Sequence, residues 1–168
     1  MDPLIQAIRD SICRVTHPRF YATERGFQGE FITQLNQLLP AVQPEGAIVE
    51  QEYQKRLPDH GITTRPDVIL HVPFDASIND SRSEGSLVAI ELKLAANQRL
   101  ANQDFRRLAQ MCDILDYTFR VFINIDSTET HLAAYTGPYE ERLAAFAIQL
   151  HDGQIVIKSG GADRKSVV

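Results

Sequence analysis

Two short runs decide how this chain is read: Arg65-Pro66-Asp67-Val68-Ile69-Leu70 and Val88-Ala89-Ile90-Glu91-Leu92-Lys93-Leu94. Each sets charged side chains inside an apolar, strand-like sequence, where a buried charge is costly unless it is paired or bound to a metal. Successive side chains of a strand point to opposite faces. Glu91 and Lys93 therefore share one face, and Val88, Ile90, Leu92 and Leu94 the other. If the two runs pair as a hairpin, Asp67 comes beside Glu91, and two carboxylates and one ammonium meet at one point. Those are the groups of a divalent-cation site with a basic partner.

Outward from these runs the pattern alternates between helix and strand. Leu4, Ile5, Ile8, Ile12 and Val15 recur at helical spacing over residues 3–16, with Asp2 before Pro3 as cap and first-turn proline. Phe27, Phe31, Leu35 and Leu38 predict a second helix over 23–39, closed by Pro40 and carrying Glu30 at the border of its apolar stripe. Residues 47–54 read as a first strand, 57–64 as a turn, 66–72 as a second strand and 87–94 as a third, with an exposed polar loop over 74–86. A helix over 98–117 and an apolar strand over 119–125 supply a parallel crossover. Beyond them the sequence predicts a weak strand over 132–135, a helix over 138–150 opened by Gly137-Pro138 and Glu140-Glu141, and a last strand over 154–158. One domain is expected over 1–158, and a disordered tail over 159–168.

Composition bounds the function. A chain of 168 residues buries enough surface to need no staple. Cys13 and Cys112 fall at helical positions without CxxC spacing, so they read as reduced thiols, and a cytoplasmic protein is expected. No basic leader followed by an apolar run, and no membrane-length apolar stretch, is present. The net charge of -5 argues against a general DNA-coating protein. One basic face is still enough to dock an anionic substrate, and Arg14, Arg19, Lys55, Arg56, Arg99, Arg106 and Arg107 are its candidates. The five histidines lack zinc spacing, and no phosphate-binding loop, dinucleotide fingerprint or GxSxG elbow is found. His71 shares a face with Asp67 but lies about 13 Å along the strand, which makes its role structural. Glu50 and Glu52 share a face of the first strand and are open to either solvation or the acidic cluster.

Pro66, Asp67, Glu91 and Lys93, in this order and in this strand context, resemble the PD-(D/E)XK nuclease superfamily. The resemblance implies a restriction-endonuclease-like α/β fold, a central mixed sheet flanked by helices. It implies a Mg²⁺- or Mn²⁺-dependent nuclease that hydrolyses phosphodiester bonds in nucleic acid, DNA foremost. Asp67, Glu91 and the backbone carbonyl of Leu92 would hold the cation, and Lys93 would orient or activate the attacking water. Glu30 would be the additional helix glutamate, with Glu24 as a neighbouring candidate. Gln103 and Gln110, on the helix after Lys93, are accessory candidates, although the Gln-x-x-x-Tyr signature of one exonuclease branch is absent. A hard cation suits this chemistry because it neutralises the diester, generates a nucleophile near neutral pH and stabilises the leaving alkoxide. Two alternatives stay open: a catalytically silent module of the same fold that binds protein or nucleic acid, and a nuclease that needs a partner protein. A homodimer would suit duplex cleavage, which requires two active sites.

Overall fold

The structure, a computed structural model, describes residues 2–52, 58, 61–77, 80, 81 and 83–162. A six-stranded mixed sheet runs through them, made of β1 (Ile48–Gln51), β2 (Val68–His71), β3 (Ser86–Leu94), β4 (Phe119–Ile125), β5 (Leu143–His151) and β6 (Gln154–Gly161). Strand order in space is the order in sequence. β1, β2 and β3 pair antiparallel, β3, β4 and β5 parallel, and β5 and β6 antiparallel.

Helices α1 (Pro3–Cys13) and α2 (Glu24–Leu38) cover one face, and α3 (Gln98–Leu115) the other. Their starts follow from local chemistry. The Asp2 carboxylate accepts from Leu4 N at 2.8 Å ahead of Pro3, Thr23 Oγ1 from Gly26 N at 3.0 Å, and Asn97 Oδ1 from Leu100 N at 3.0 Å. α3 ends two residues before the expected Tyr117 because Asp116 turns left-handed at φ 49°, and its N–H closes the last turn on Cys112 and Met111. Ile5, Ile8 and Ile12 of α1 and Phe27, Phe31 and Leu35 of α2 pack on Val68, Ile90, Leu92, Val121 and Phe146. On the opposite face Phe105, Leu108, Met111 and Cys112 of α3 pack on Ile69, Ala89 and Phe122. The sheet is thus apolar on both faces, as a parallel centre requires.

Three expectations are corrected. The helix over 138–150 is absent: Glu140–Arg142 form one 3₁₀ turn, and Leu143–His151 are strand β5. Leu143 through Ile148 are all buried, with Ala144, Phe146 and Ile148 on one core and Leu143 and Ala145 on the other. A run apolar on both sides belongs between two strands, and that burial overrides the helix preference of its alanines. The strand over 132–135 is instead a 3₁₀ turn, Leu132–Ala134, whose Leu132 and neighbouring Tyr135 pack beside α3. The tail does not begin at 159, since β6 continues through Ser159, Gly160 and Gly161, paired with Phe146, Ala145 and Ala144. Residues 163–168, the end of the expected first strand at 53–54, Lys55, Arg56, residues 57, 59 and 60 of the expected turn and residues 78, 79 and 82 of the polar loop lie outside the described residues.

The polar side chains that the core encloses fix connections. Asn124, fully buried on β4, accepts from Ala96 N at 2.8 Å and donates to Ala96 O, Ser127 Oγ and Glu129 O. This holds the turn that leads from β3 into α3. Arg120, also fully buried, donates to the carbonyls of Phe105, Pro138 and Tyr139 and to the Tyr135 hydroxyl. It ties α3 and the 135–139 segment to β4. Both cysteines are free thiols, and among the described residues no helix is long and apolar enough to cross a membrane.

Candidate active site

The register of the β2–β3 hairpin pairs Val68 with Ile90, which sets the preceding Asp67 opposite Glu91. Asp67 is held from three sides. Its Oδ2 accepts from Leu92 N at 2.7 Å, and its carbonyl accepts from Glu52 N at 2.8 Å and from Gln28 Nε2 at 3.0 Å. Gln28 is a buried side chain of α2, so the helix fixes the backbone of the strand that carries the acid. The Leu92 side chain faces the α1–α2 core, which leaves its backbone to the site.

Glu91 is 3% exposed and lies under α3. Burial raises its pKa from 4.5 to about 9, and the charges of Asp67 and Asp104 and a hydrogen bond with Asp67 add to the shift against the opposing pull of Lys93. At neutral pH and without a cation, Glu91 is therefore held as a carboxylic acid beside Asp67. Lys93 also resolves. Burial lowers its pKa, but Asp104, Glu24, Asp67 and Glu91 together outweigh burial and raise it, so it stays an ammonium. Its Nζ lies 3.6 Å from Glu24 Oε1, and Glu24 Oε2 accepts from Leu94 N at 3.3 Å.

A pH dependence follows. An unfolded glutamate loses its proton near the ordinary value of 4.5, whereas folded Glu91 keeps it to about 9. Between those values the folded state holds the extra proton, so the contribution to stability is full below 4.5 and declines as pH rises to 9. In chelator at pH 8, Glu91→Gln should melt several degrees above the wild type, and the gap should close toward pH 5. Equal melting at pH 8 would mean that Glu91 ionises without cost.

The remaining sequence candidates divide. Glu24, in the first turn of α2, is the helix glutamate that meets Lys93, while Glu30 is half-buried further along and accepts from Gln34 Nε2 at 2.7 Å. Gln103 and Gln110 are on the exposed side of α3. Asp104, beside Gln103, is 1% exposed; the sequence offers it with Arg107 among the polar residues of this helix, behind Gln103 and Gln110. Its only sequence signal is its spacing, one and four residues before Phe105 and Leu108, which puts it on the buried stripe. Glu50 pairs with His71 Nε2 at 2.7 Å, and Glu52 with Arg25 and Arg65 at 3.5 and 3.8 Å, so the first-strand acids engage neighbours on the sheet edge.

The donor set fits a hard cation. Burial holds on Glu91 a proton that a cation can replace, and Asp104 keeps an oxygen with no hydrogen-bond partner. Among the described residues, no three acidic, histidine or cysteine side chains are already drawn together around one point. A cleft of about 890 Å³ lies elsewhere, between the 129–134 segment, Glu140, Glu141 and the end of β6. Compared with family models, curated proteins and solved structures, the chain matches none.

Proposed function

We propose that the chain is a restriction-endonuclease-like, Mg²⁺- or Mn²⁺-dependent nuclease that hydrolyses phosphodiester bonds, with DNA as its expected substrate. The observation that carries this reading is the register that sets Asp67 beside Glu91, with Lys93 two residues on from Glu91 on the same strand. Asp67, Glu91 and the Leu92 carbonyl would hold the cation, which when bound supplies the Lewis acid and lowers the pKa of its water. The residues of the chain do the rest. Asp67 is fixed by Leu92 N and by Gln28. The Lys93 ammonium, braced by Glu24, is positioned to orient a water or to stabilise charge on the phosphoryl oxygens. Because the neighbouring carboxylates keep it protonated, the structure favours an electrostatic role for Lys93 over that of a general base. α2 contributes Glu24 and Gln28, and so takes the place the resemblance gave to Glu30.

The test is calorimetry with Mn²⁺, paired with cleavage assays. The wild type should bind Mn²⁺, and Asp67→Asn and Glu91→Gln should bind it at least about tenfold more weakly, since each removes one of the two carboxylate ligands. Equal binding by all three proteins removes the site. Duplex, branched and single-stranded DNA and RNA are then offered with Mg²⁺ or Mn²⁺. Cation binding without cleavage of any of them would favour the silent or partner-dependent reading, which addition of a cell extract then separates.

A further inference from the structure

Two guanidiniums meet at the edge of the sheet, and one carboxylate serves both. Arg25 Nη2 lies 3.5 Å from Glu52 Oε1, and Arg65 Nη1 lies 3.8 Å from Glu52 Oε2. A guanidinium fork engaged with a carboxylate comes to about 2.7–2.9 Å, so Glu52 attracts both arginines without taking up the donors of either. Two positive charges against one negative charge leave this point positive. Stability does not account for the cluster, because Arg25 is 85% exposed and Arg65 56%, and exposed pairs of this kind contribute little.

The backbone ties the cluster to the candidate site from two sides. Glu52, just past the end of β1, is left-handed at φ 47°, and its N–H donates to Asp67 O at 2.8 Å. Arg65 is two residues ahead of Asp67. Arg25 follows Glu24, whose carboxylate lies 3.6 Å from Lys93 Nζ and accepts from Leu94 N at 3.3 Å. The arginines therefore flank both the strand that carries Asp67 and the Lys93–Glu24 pair. In a chain of net charge -5, a polyanion that approaches these acids needs local positive charge to dock.

We propose that Arg25 and Arg65 form a phosphate clamp, whose guanidiniums grip a backbone phosphate of duplex DNA next to the one presented to Asp67 and Glu91. The inference rests on the reading of that site as a nuclease centre, and it names the contacts that place the strand there. Arginine suits the task because its planar fork offers donors in pairs that match phosphate oxygens. Glu52 keeps the two side chains together while no DNA is bound, and phosphate replaces it as their partner on binding. Such contacts fix the position of the backbone and read no bases.

The experiment is fluorescence anisotropy of the whole chain with two labelled DNA duplexes of unrelated sequence, in chelator so that no strand is cut, over a range of salt concentrations. Each of Arg25→Gln and Arg65→Gln should lower the slope of log affinity against log salt by about one, and the double variant by about two, equally on both duplexes. Between about 50 and 200 mM salt the wild type should then lose roughly tenfold more affinity than the double variant. Lys158→Gln removes the same charge from β6, at the opposite edge of the sheet, and should keep the wild-type slope. Glu52→Gln should bind at least as tightly as the wild type, since it removes the competitor for the guanidiniums. A wild-type slope in the double variant, an equal loss in Lys158→Gln, a loss in Glu52→Gln like that of the arginine variants, or failure of the double variant to fold would overturn the clamp. If the wild type binds neither duplex, the clamp and the DNA substrate fall together. If the slopes change as expected while no nucleic acid is cut with Mg²⁺ or Mn²⁺, the clamp stands and the nuclease reading falls.

Discussion

Replacing Lys93 by alanine should lower phosphodiester hydrolysis by about 10²- to 10⁴-fold, the range for losing one positioned proton-transfer or charge-stabilising group. Fold and Mn²⁺ affinity should survive. The Lys93 side chain is a quarter exposed and makes its ion pair with Glu24 at 3.6 Å, so its removal opens no cavity in either core. It is also not a cation ligand. Two roles remain for it, and Lys93→Arg distinguishes them. A guanidinium keeps the positive charge at any accessible pH and cannot act as a base. Since the surrounding carboxylates hold Lys93 as an ammonium, the arginine variant should retain clearly more activity than the alanine variant. Wild-type rates for Lys93→Ala would take the residue out of the reaction, and an arginine variant as inactive as alanine would restore the general-base role.

The second large effect concerns stability. Arg120→Met should destabilise the fold by about 3–5 kcal/mol, because it leaves several buried neutral acceptors without a donor at about 1–3 kcal/mol each. In a domain of this size that lowers the melting temperature by roughly 10–15 °C. The guanidinium donates to Pro138 O at 2.6 Å, Phe105 O at 3.0 Å, Tyr139 O at 3.1 Å and the Tyr135 hydroxyl at 3.3 Å, and stacks 5.2 Å from the Tyr135 ring. Methionine fills much of the volume but donates to none of these oxygens, which then stay buried without a partner. Thermal melts at neutral pH check this. A loss of under about 1 kcal/mol would mean that water enters and replaces the guanidinium. The 135–139 segment, which has no strand or helix of its own to hold it, should become the first site of proteolysis in the variant.

What was legible in the sequence was what periodicity and caps control. Asp2-Pro3 marks the start of α1, apolar periodicity marks α2 and α3, and the alternation around Glu91 gives both its face and its partner Asp67. Strand β5 was not legible, because Leu143-Ala-Ala-Phe-Ala-Ile reads equally as a helix, and only the two cores that meet on it make it a strand. The connection from β4 to β5 hid for the same reason: it crosses between parallel strands over residues 126–142 with short 3₁₀ turns in place of a helix. Within the site, Asp67, Glu91 and Lys93 could be placed from local sequence. Glu24 and Glu30 could not be told apart in the sequence, since both lie on α2; in the fold it is Glu24 whose carboxylate accepts from Leu94 N and lies 3.6 Å from Lys93. Asp104, Gln28 and Asn124 carry no motif at all. Each is recognised by a buried polar atom whose partner, or lack of one, appears only after folding.

The sequential strand order also bears on how the protein reaches this state. Contacts between residues close in the chain form early because little loop entropy is lost in making them. The bond from Leu92 N to Asp67 spans 25 residues, whereas the bond from Leu94 N to Glu24 spans 70. The two facing carboxylates thus belong to a hairpin that can pair before α2 docks, and the glutamate that braces Lys93 arrives later.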